Sequence, residues 1–493
     1  MLRRLTTPRN DNLVMKYLTK TIEYGLYLLV FLLPLGTRWI IRAGETEYLT
    51  YSLYGTDILL VLLLALFAVL SFRLQRSGRR NPLYSEFSPL SDSSSRSLVG
   101  MTIKKSARND NITFWLMGGL VLVSFASIFF AIDKGLVLYK FVWLVLGAGL
   151  YWLTAKADYS RAKLVWSLLA GLGLQAILGS WQFLAQATFA NKWLGLALHR
   201  ASDLGTSVIE TMGADGVGER WLRAYGGLDH PNILGGMLAI GILLLIGQYI
   251  KFPISNNQFP NKFQISNFKF QNYLKVIFWF LLVIFSTALF FSFSRAAWLA
   301  LAAGLIVMML GAAINKNLPA QKNILQTVLI SGLMFFILFF QFPNLVMTRL
   351  YSGQRLEIKS KSERLESIKN SWPIIKNNWA SGVGAGNYTL ALERQLPGEQ
   401  SYFYQPAHNV FILVFSEIGL FGLLFFILII IFPFVRLLRR REYAASRNDS
   451  KLAILVALIV AMFLDHWLWS LHFGVLFFWL ALGLAPERRL WIN

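Results

Sequence analysis

Apolar runs long enough to cross roughly 30 Å of hydrocarbon as helices recur along the whole chain, with polar segments between them. They fall near residues 22–41, 57–72, 113–131, 135–154, 164–186, 230–250, 275–293, 296–314, 324–342, 409–432, 452–470 and 472–485. A helix satisfies its own backbone hydrogen bonds in lipid, so the pattern predicts an all-α polytopic membrane protein of about twelve transmembrane helices. The interruptions divide the chain into an N-terminal segment 1–21, helices over 22–186, a loop 187–229, helices over 230–342, a large loop 343–408 and last helices over 409–493. No cleaved leader is expected in the first run, because Trp39, Ile40 and Ile41 stand where the small residues of a cleavage site would fall.

Composition supports the membrane assignment. Hydrophobic residues make up 56% of the 493 and charged ones only 15%, with mean hydropathy +0.52; soluble domains carry roughly 25% charged residues. A net charge of +22 invites a nucleic-acid partner, but sidedness explains it better. Arg3, Arg4, Arg9, Lys16 and Lys20 precede the first run, and Arg436, Arg439, Arg440, Arg441, Arg447 and Lys451 follow the tenth. By the positive-inside rule these segments and both termini lie in the cytoplasm, and no nucleic acid is expected. The stretches Arg73 to Asn111 and Phe252 to Tyr273 read as low-complexity connectors on that side. The absence of cysteine excludes disulfides, thiolate metal sites and a cysteine nucleophile.

Polar chemistry concentrates in the two loops on the opposite side. The large one holds Arg364, Trp372-Pro373, Gly382-Val-Gly384-Ala-Gly386-Asn387-Tyr388 and His408-Asn409, with Glu417-Ile-Gly419 in the following helix. So long a polar interval between spans is functional or disordered, and its glycines and aromatics argue for function. The glycine run lacks the Lys-Ser/Thr of a phosphate-binding loop, so nucleotide binding is rejected; it is expected instead to turn backbone N–H groups toward an anion. His408, at the entrance to a helix, is either a hydrogen-bonded structural residue or a proton acceptor, histidine being the side chain best suited to exchange a proton near neutral pH. Asn409 or Glu417 would orient it.

Two arginines complete the candidate set. Arg295 in Ser292-Phe-Ser-Arg295-Ala-Ala-Trp298 has almost no loop to carry it into water, so it either snorkels or faces an anion. Arg223 precedes Gly226-Gly-Leu-Asp229-His230-Pro231-Asn232, where Pro231 opens a helix that Asp229 is expected to cap. An arginine beside such a helix start suits phosphate; the plainer alternative is a capped helix entering the membrane, with His230 structural. The shorter loop, Ala187 to Asp229, is mixed in charge and adds Phe183, Phe189, Trp193, Leu194, Leu196 and Trp221 as candidate headgroup-layer residues. Glu45-x-Glu47, after the first run, is the only acidic pair resembling a metal-assisted glycosyltransfer motif, and two exposed glutamates are an ordinary solvated loop, so no metal site and no cofactor are expected. Asp465-His466 reads as polar glue between helices within the hydrocarbon.

The ordered set Arg364, Trp372-Pro373, Gly382 to Tyr388, His408-Asn409 and Glu417-Ile-Gly419-Leu-Phe-Gly422, with Gly226 to Asn232 and Ser294-Arg295-Ala-Ala-Trp298 upstream, resembles the bacterial O-antigen ligase and polymerase superfamily. The resemblance covers roughly Ala187 to Ile430. It implies metal-independent, inverting transfer of a glycan from an undecaprenyl diphosphate carrier to an acceptor hydroxyl at the outer face of the cytoplasmic membrane. It also implies that Arg223 and Arg295 hold the diphosphate, that Arg364 and Asn409 lie by the substrate and that His408 assists the attacking hydroxyl. Partners would be the polyprenyl-linked donor, a glycan, lipid or protein acceptor, and membrane lipid. The departures are the low-complexity cytoplasmic loops and Asn377-Asn378-Trp379, where a proline is common before the glycines. Polymerase and protein O-oligosaccharyltransferase activities belong to the same superfamily. A reading of another class is a transporter for a small anion such as bicarbonate, which should carry midplane charges and repeated halves.

Overall fold

The computed structural model describes residues 8–78, 112–203, 205–212, 218–250, 261–351, 355–439 and 445–484. Of the low-complexity connectors, residues 79–111 and 252–260 lie outside them. The chain is an all-α polytopic membrane protein, about 75% helical. Its helices are α1 (Pro8–Leu32), α2 (Gly55–Gly78), α3 (Ile112–Phe129), α4 (Lys134–Lys156), α5 (Arg161–Ala185), α6 (Pro231–Tyr249), α7 (Asn261–Phe291), α8 (Arg295–Ile314) and α9 (Leu318–Gln341). The shorter α10 (Pro343–Tyr351), α11 (Arg355–Asn377) and α12 (Tyr388–Gln395) come next, then α13 (Val410–Arg439), α14 (Ala445–Leu464), α15 (Trp467–Ser470) and α16 (His472–Leu484). Among the described residues nine helices are long and apolar enough to cross a membrane: α2 to α9 without exception, and α13.

Each expected span corresponds to a helix, with three corrections. The first ends at Leu32 rather than residue 41, because Pro34 and Gly36 break it. Beyond the break the chain forms a hairpin, β1 (Arg38–Arg42) antiparallel to β2 (Tyr51–Tyr54), with an irregularity between Ile40 and Arg42. The seventh helix starts at Asn261, within the expected connector. The eleventh stops at Leu464, and the chain restarts as α15 and α16.

The centre of the bundle is α6, buried almost end to end among α5, α7, α8 and α14. Its glycines permit that enclosure: a Cβ on Gly236 would stand 2.9 Å from the Trp467 ring, and one on Gly241 3.0 Å from Leu172. A second hairpin, β3 (Val208–Met212) with β4 (Gly218–Leu222), lies at the same end of the bundle as β1 and β2. There Trp39, Ile41 and Trp193 are exposed by 76%, 67% and 75%, and Thr37 Oγ1 donates to the Trp193 carbonyl at 2.8 Å, joining the two loops into one apolar rim. Such a rim suits the headgroup layer, as expected for Trp193.

Candidate functional site

The turn between α7 and α8 is only Ser292-Phe293-Ser294, and Phe293 occupies left-handed backbone space (φ +46°), a strained setting for a bulky residue. The strain exposes two successive carbonyls, and each is held by an arginine. Arg223 Nε donates to the Ser292 carbonyl at 2.8 Å. Arg349, on α10, donates to the Phe293 carbonyl through Nη2 at 2.8 Å and Nε at 3.2 Å. Ser294 then caps α8 by accepting from the Ala297 N–H, which launches Arg295 as the first helical residue.

Arg295 and Arg349 share the carboxylate of Glu357, from the first turn of α11. Glu357 is 3% exposed; it pairs with Arg295 Nη2 at 3.1 Å and with Arg349 Nη1. Arg295 Nη1 also donates to the Arg349 carbonyl at 3.0 Å. Seven residues beyond Glu357, two helical turns, Arg364 lies half-buried on the same face of α11 and acts electrostatically on Arg349. Three arginines with one carboxylate leave two positive charges at this end, and Arg295 still has a quarter of its side chain accessible. Burial, opposed by Glu357, draws the Arg349 guanidinium below its ordinary pKa.

Arg223 is placed differently from the sequence expectation. It is 4% exposed, and its guanidinium is committed to Ser292 O, to Ser207 Oγ at 2.7 Å and to Asn232 Oδ1 at 2.8 Å. Burial and the nearby Arg349 both oppose its charge, which these three acceptors offset. It therefore braces the site from beneath. Asn232 passes the connection on: its Nδ2 donates to Asp465 Oδ2 at 3.1 Å. The helix α6 that carries Asn232 is capped by His230, whose Nδ1 accepts the Asn232 N–H at 3.1 Å, and not by Asp229.

Asp465 and His466 occupy the break between α14 and α15 rather than the middle of a span. His408 comes from the other side of the break. Its Nδ1 is 3.9 Å from Asp465 Oδ1, His466 Nε2 is 3.9 Å from the same oxygen, and the two rings are 5.1 Å apart. Asn409 fixes the backbone beside His408: its Oδ1 accepts the Ile412 N–H at 3.1 Å, and its Nδ2 donates to the Phe463 carbonyl at 3.2 Å. The amide so binds the start of α13 to the end of α14, one residue from His408.

The glycine run and Glu417 answer to each other. The backbone of α13 is broken at Ile418 and Gly419 (φ +67°), which frees carbonyls of the preceding turn. The Val383 N–H donates to Ser416 O at 3.0 Å and the Gly384 N–H to Glu417 O at 2.8 Å, while the Leu420 N–H returns to Trp379 O at 2.8 Å. The Glu417 carboxylate is buried and accepts from Trp469 Nε1 at 2.8 Å and from the backbone of Gly386 and Tyr388. The run thus does turn N–H groups toward an anion, and that anion is the protein's own Glu417, which does not orient His408. Lys140, buried on α4, donates to the Ser470 carbonyl at 3.0 Å, lies 3.7 Å over the Trp143 ring and lines the same cavity as Glu417, Tyr48 and Trp469.

As members of the site, Arg349, Glu357, Lys140, Asp465 and His466 escaped the sequence reading. The first two sit among ordinary charged loop residues, Lys140 inside an apolar run, and the last two in what reads as a continuous span; the break after Leu464 has no proline or glycine to announce it.

Residues 280–427 match the family model described as O-antigen ligase. The matched stretch carries Arg295, Arg349, Glu357, Arg364, the glycine run, His408 and Asn409, while Arg223, Asn232 and Asp465 lie outside it. No curated protein matches the chain. By that segment, 148 of the 493 residues, this multi-pass membrane protein is similar to the O-antigen ligase family of glycan-transfer proteins.

Proposed function

We propose that the protein transfers a glycan from an undecaprenyl diphosphate carrier to an acceptor hydroxyl at the outer face of the cytoplasmic membrane, with both termini in the cytoplasm. One observation carries this reading: a cationic cluster and a histidine site belong to one hydrogen-bonded frame, running from the Ser292-Phe293 turn through Arg223 and Asn232 to Asp465 beside His408. The large loop, 343–408, is the catalytic unit in this reading, and the helices hold it.

The chemistry is a single displacement. The acceptor oxygen bonds to the anomeric carbon as the bond from that carbon to the diphosphate oxygen breaks; its proton passes to His408, and the leaving diphosphate takes the electron pair. Inversion results from one attack opposite the leaving group. Arg295 and Arg364, with Arg349 behind them, receive the charge developing on the diphosphate, a task a guanidinium fork performs without a metal ion. Asp465 faces His408 Nδ1 and favours the tautomer that leaves Nε2 open to the hydroxyl. Arg223 and Asn409 are positioning residues.

The test uses the purified full chain in vesicles with a labelled polyprenyl diphosphate glycan and candidate lipid, glycan and peptide acceptors. A new conjugate with a lipid core identifies the ligase; longer carrier-linked chains or a glycopeptide identify the related activities. A positioned base is worth about 10² to 10⁴ in rate, so His408→Ala should lose that factor with donor binding retained. Normal turnover of His408→Ala, or loss of donor binding alone, removes the histidine from the reaction. Chelator should leave transfer unchanged.

A further inference from the structure

We propose that His408, Asp465 and His466 form a binding site for a divalent transition metal ion of the zinc type. Their ligand atoms all lie within 4.8 Å of one another, and among the described residues this is the group of three such side chains that converges on one point. The chemistry of each member favours a cation there. The Ser470 hydroxyl has one proton, which it donates to the His466 carbonyl at 3.1 Å, so at 2.6 Å it accepts from His466 Nδ1. His466 is therefore the Nδ1–H tautomer, and its Nε2 lone pair faces Asp465 Oδ1 at 3.9 Å. His408 Nδ1 faces the same oxygen at the same distance and has no hydrogen-bond partner. At 3.9 Å neither contact is a hydrogen bond. With the His408 proton moved from Nδ1 to Nε2, three electron-pair donors converge there with nothing positive between them.

Two imidazole nitrogens and a carboxylate oxygen are the ligand types zinc accepts in three-residue sites that keep a fourth position open. The outer shell is also built for it. Ser470 fixes the His466 tautomer, while Asn232 Nδ2 and the His466 N–H hold the two Asp465 oxygens at 3.1 and 2.8 Å; such partners orient ligands toward a metal.

The site rests partly on the reading of His408 as the base. A neutral imidazole has one lone pair. If Nδ1 gives it to the metal, the remaining proton moves to Nε2, which can no longer take one from a hydroxyl. Bound zinc therefore blocks transfer.

The experiment measures both consequences on the untagged full chain in detergent. Equilibrium dialysis against zinc chloride with elemental analysis should find one zinc per chain. His408→Ala and His466→Ala should each weaken binding at least about 100-fold, and Ser470→Ala about 10- to 100-fold, the range for outer-shell partners. His199→Ala, whose ring stacks on Tyr225 4.1 Å away, should bind as the parent does. Cobalt substitution of the unmutated chain, read by visible absorption of a four- or five-coordinate site, guards against a variant that misfolds. No zinc above buffer and no cobalt band, or binding that His408→Ala and His466→Ala leave unchanged, overturns the site. In the vesicle assay zinc should inhibit transfer and chelator should restore it. Zinc bound with turnover unaffected supports the site and overturns His408 as the base.

Discussion

Replacing Glu357 by glutamine tests how the cationic cluster is held together. The change keeps the shape of a side chain that is 3% exposed, so little cavity forms, but it removes the one anion between Arg295 and Arg349. One carboxylate oxygen also becomes an NH₂ group facing a guanidinium donor. Removing one partner of a buried ion pair costs about 3–5 kcal/mol, against a total folding stability of roughly 5–15 kcal/mol for a typical domain. The assay is the half-life of the monodisperse species on heating in detergent, with Glu363→Gln as control. Glu363 pairs with Lys359 at 3.7 Å with both side chains 54% exposed, and such pairs are worth about 0–1 kcal/mol. Adding Arg349→Met to Glu357→Gln removes a stranded charge, so the double variant should lose less than the sum of the singles. Equal half-lives for Glu357→Gln and Glu363→Gln, or strict additivity in the double variant, would refute the shared-carboxylate account.

Arg295→Lys keeps a charge but loses the planar fork that reaches Glu357 and the Arg349 carbonyl through separate nitrogens, so vesicle transfer should fall strongly at near-normal protein level; Arg220→Lys, bonded to Ser202 O and near Glu210, should transfer normally. Gly419→Ala places a Cβ 2.2 Å from the Ala380 carbonyl oxygen at φ +67°, so the loop and helix break should separate, seen as loss of folded protein by size-exclusion chromatography. Burial first, then Arg223, holds the His230 pKa down to about 3. The unfolded chain then binds more protons than the folded one between about pH 6.5 and 3, so this stability is full above about 6.5 and lost as pH falls. His230→Asn keeps a cap that does not titrate, and its melting temperature should fall less than the parent's between pH 6.5 and 4.

The spans were legible because helix-length apolar runs have no other use in a chain so poor in charge. The site was legible only where a residue looked out of place. Arg295 between two apolar runs and His408 at a helix entrance drew attention, and the structure places both at the same end of the bundle. Arg223 was visible beside the helix start that Pro231 opens, yet its place as a buried brace depends on Ser207, Ser292 and Asn232, which no spacing rule connects to it. Asp465 was read as hydrocarbon glue because hydropathy averages over a break that no helix-breaking residue marks. His466, its neighbour, went unrecognised with it.

The glycine run shows why a loop pattern and its purpose separate. Its N–H groups were expected to meet an anion, since a left-handed glycine turn makes that geometry easily. In the fold those groups are spent on α13: Gly384 on the carbonyl freed at Glu417, and Gly386 on the Glu417 carboxylate. The loop and the helix break satisfy each other, which fixes where the large loop returns to the bundle and where α13 begins relative to Trp469. Because Asn409 then joins the start of α13 to Phe463, two residues before Asp465, the position of His408 is set from both sides of the break. The arginines reach the same break through Arg223 and Asn232. A shift of α13 at its kink would therefore move His408 relative to the arginines, which makes Gly419 a residue on which the proposed geometry of transfer depends.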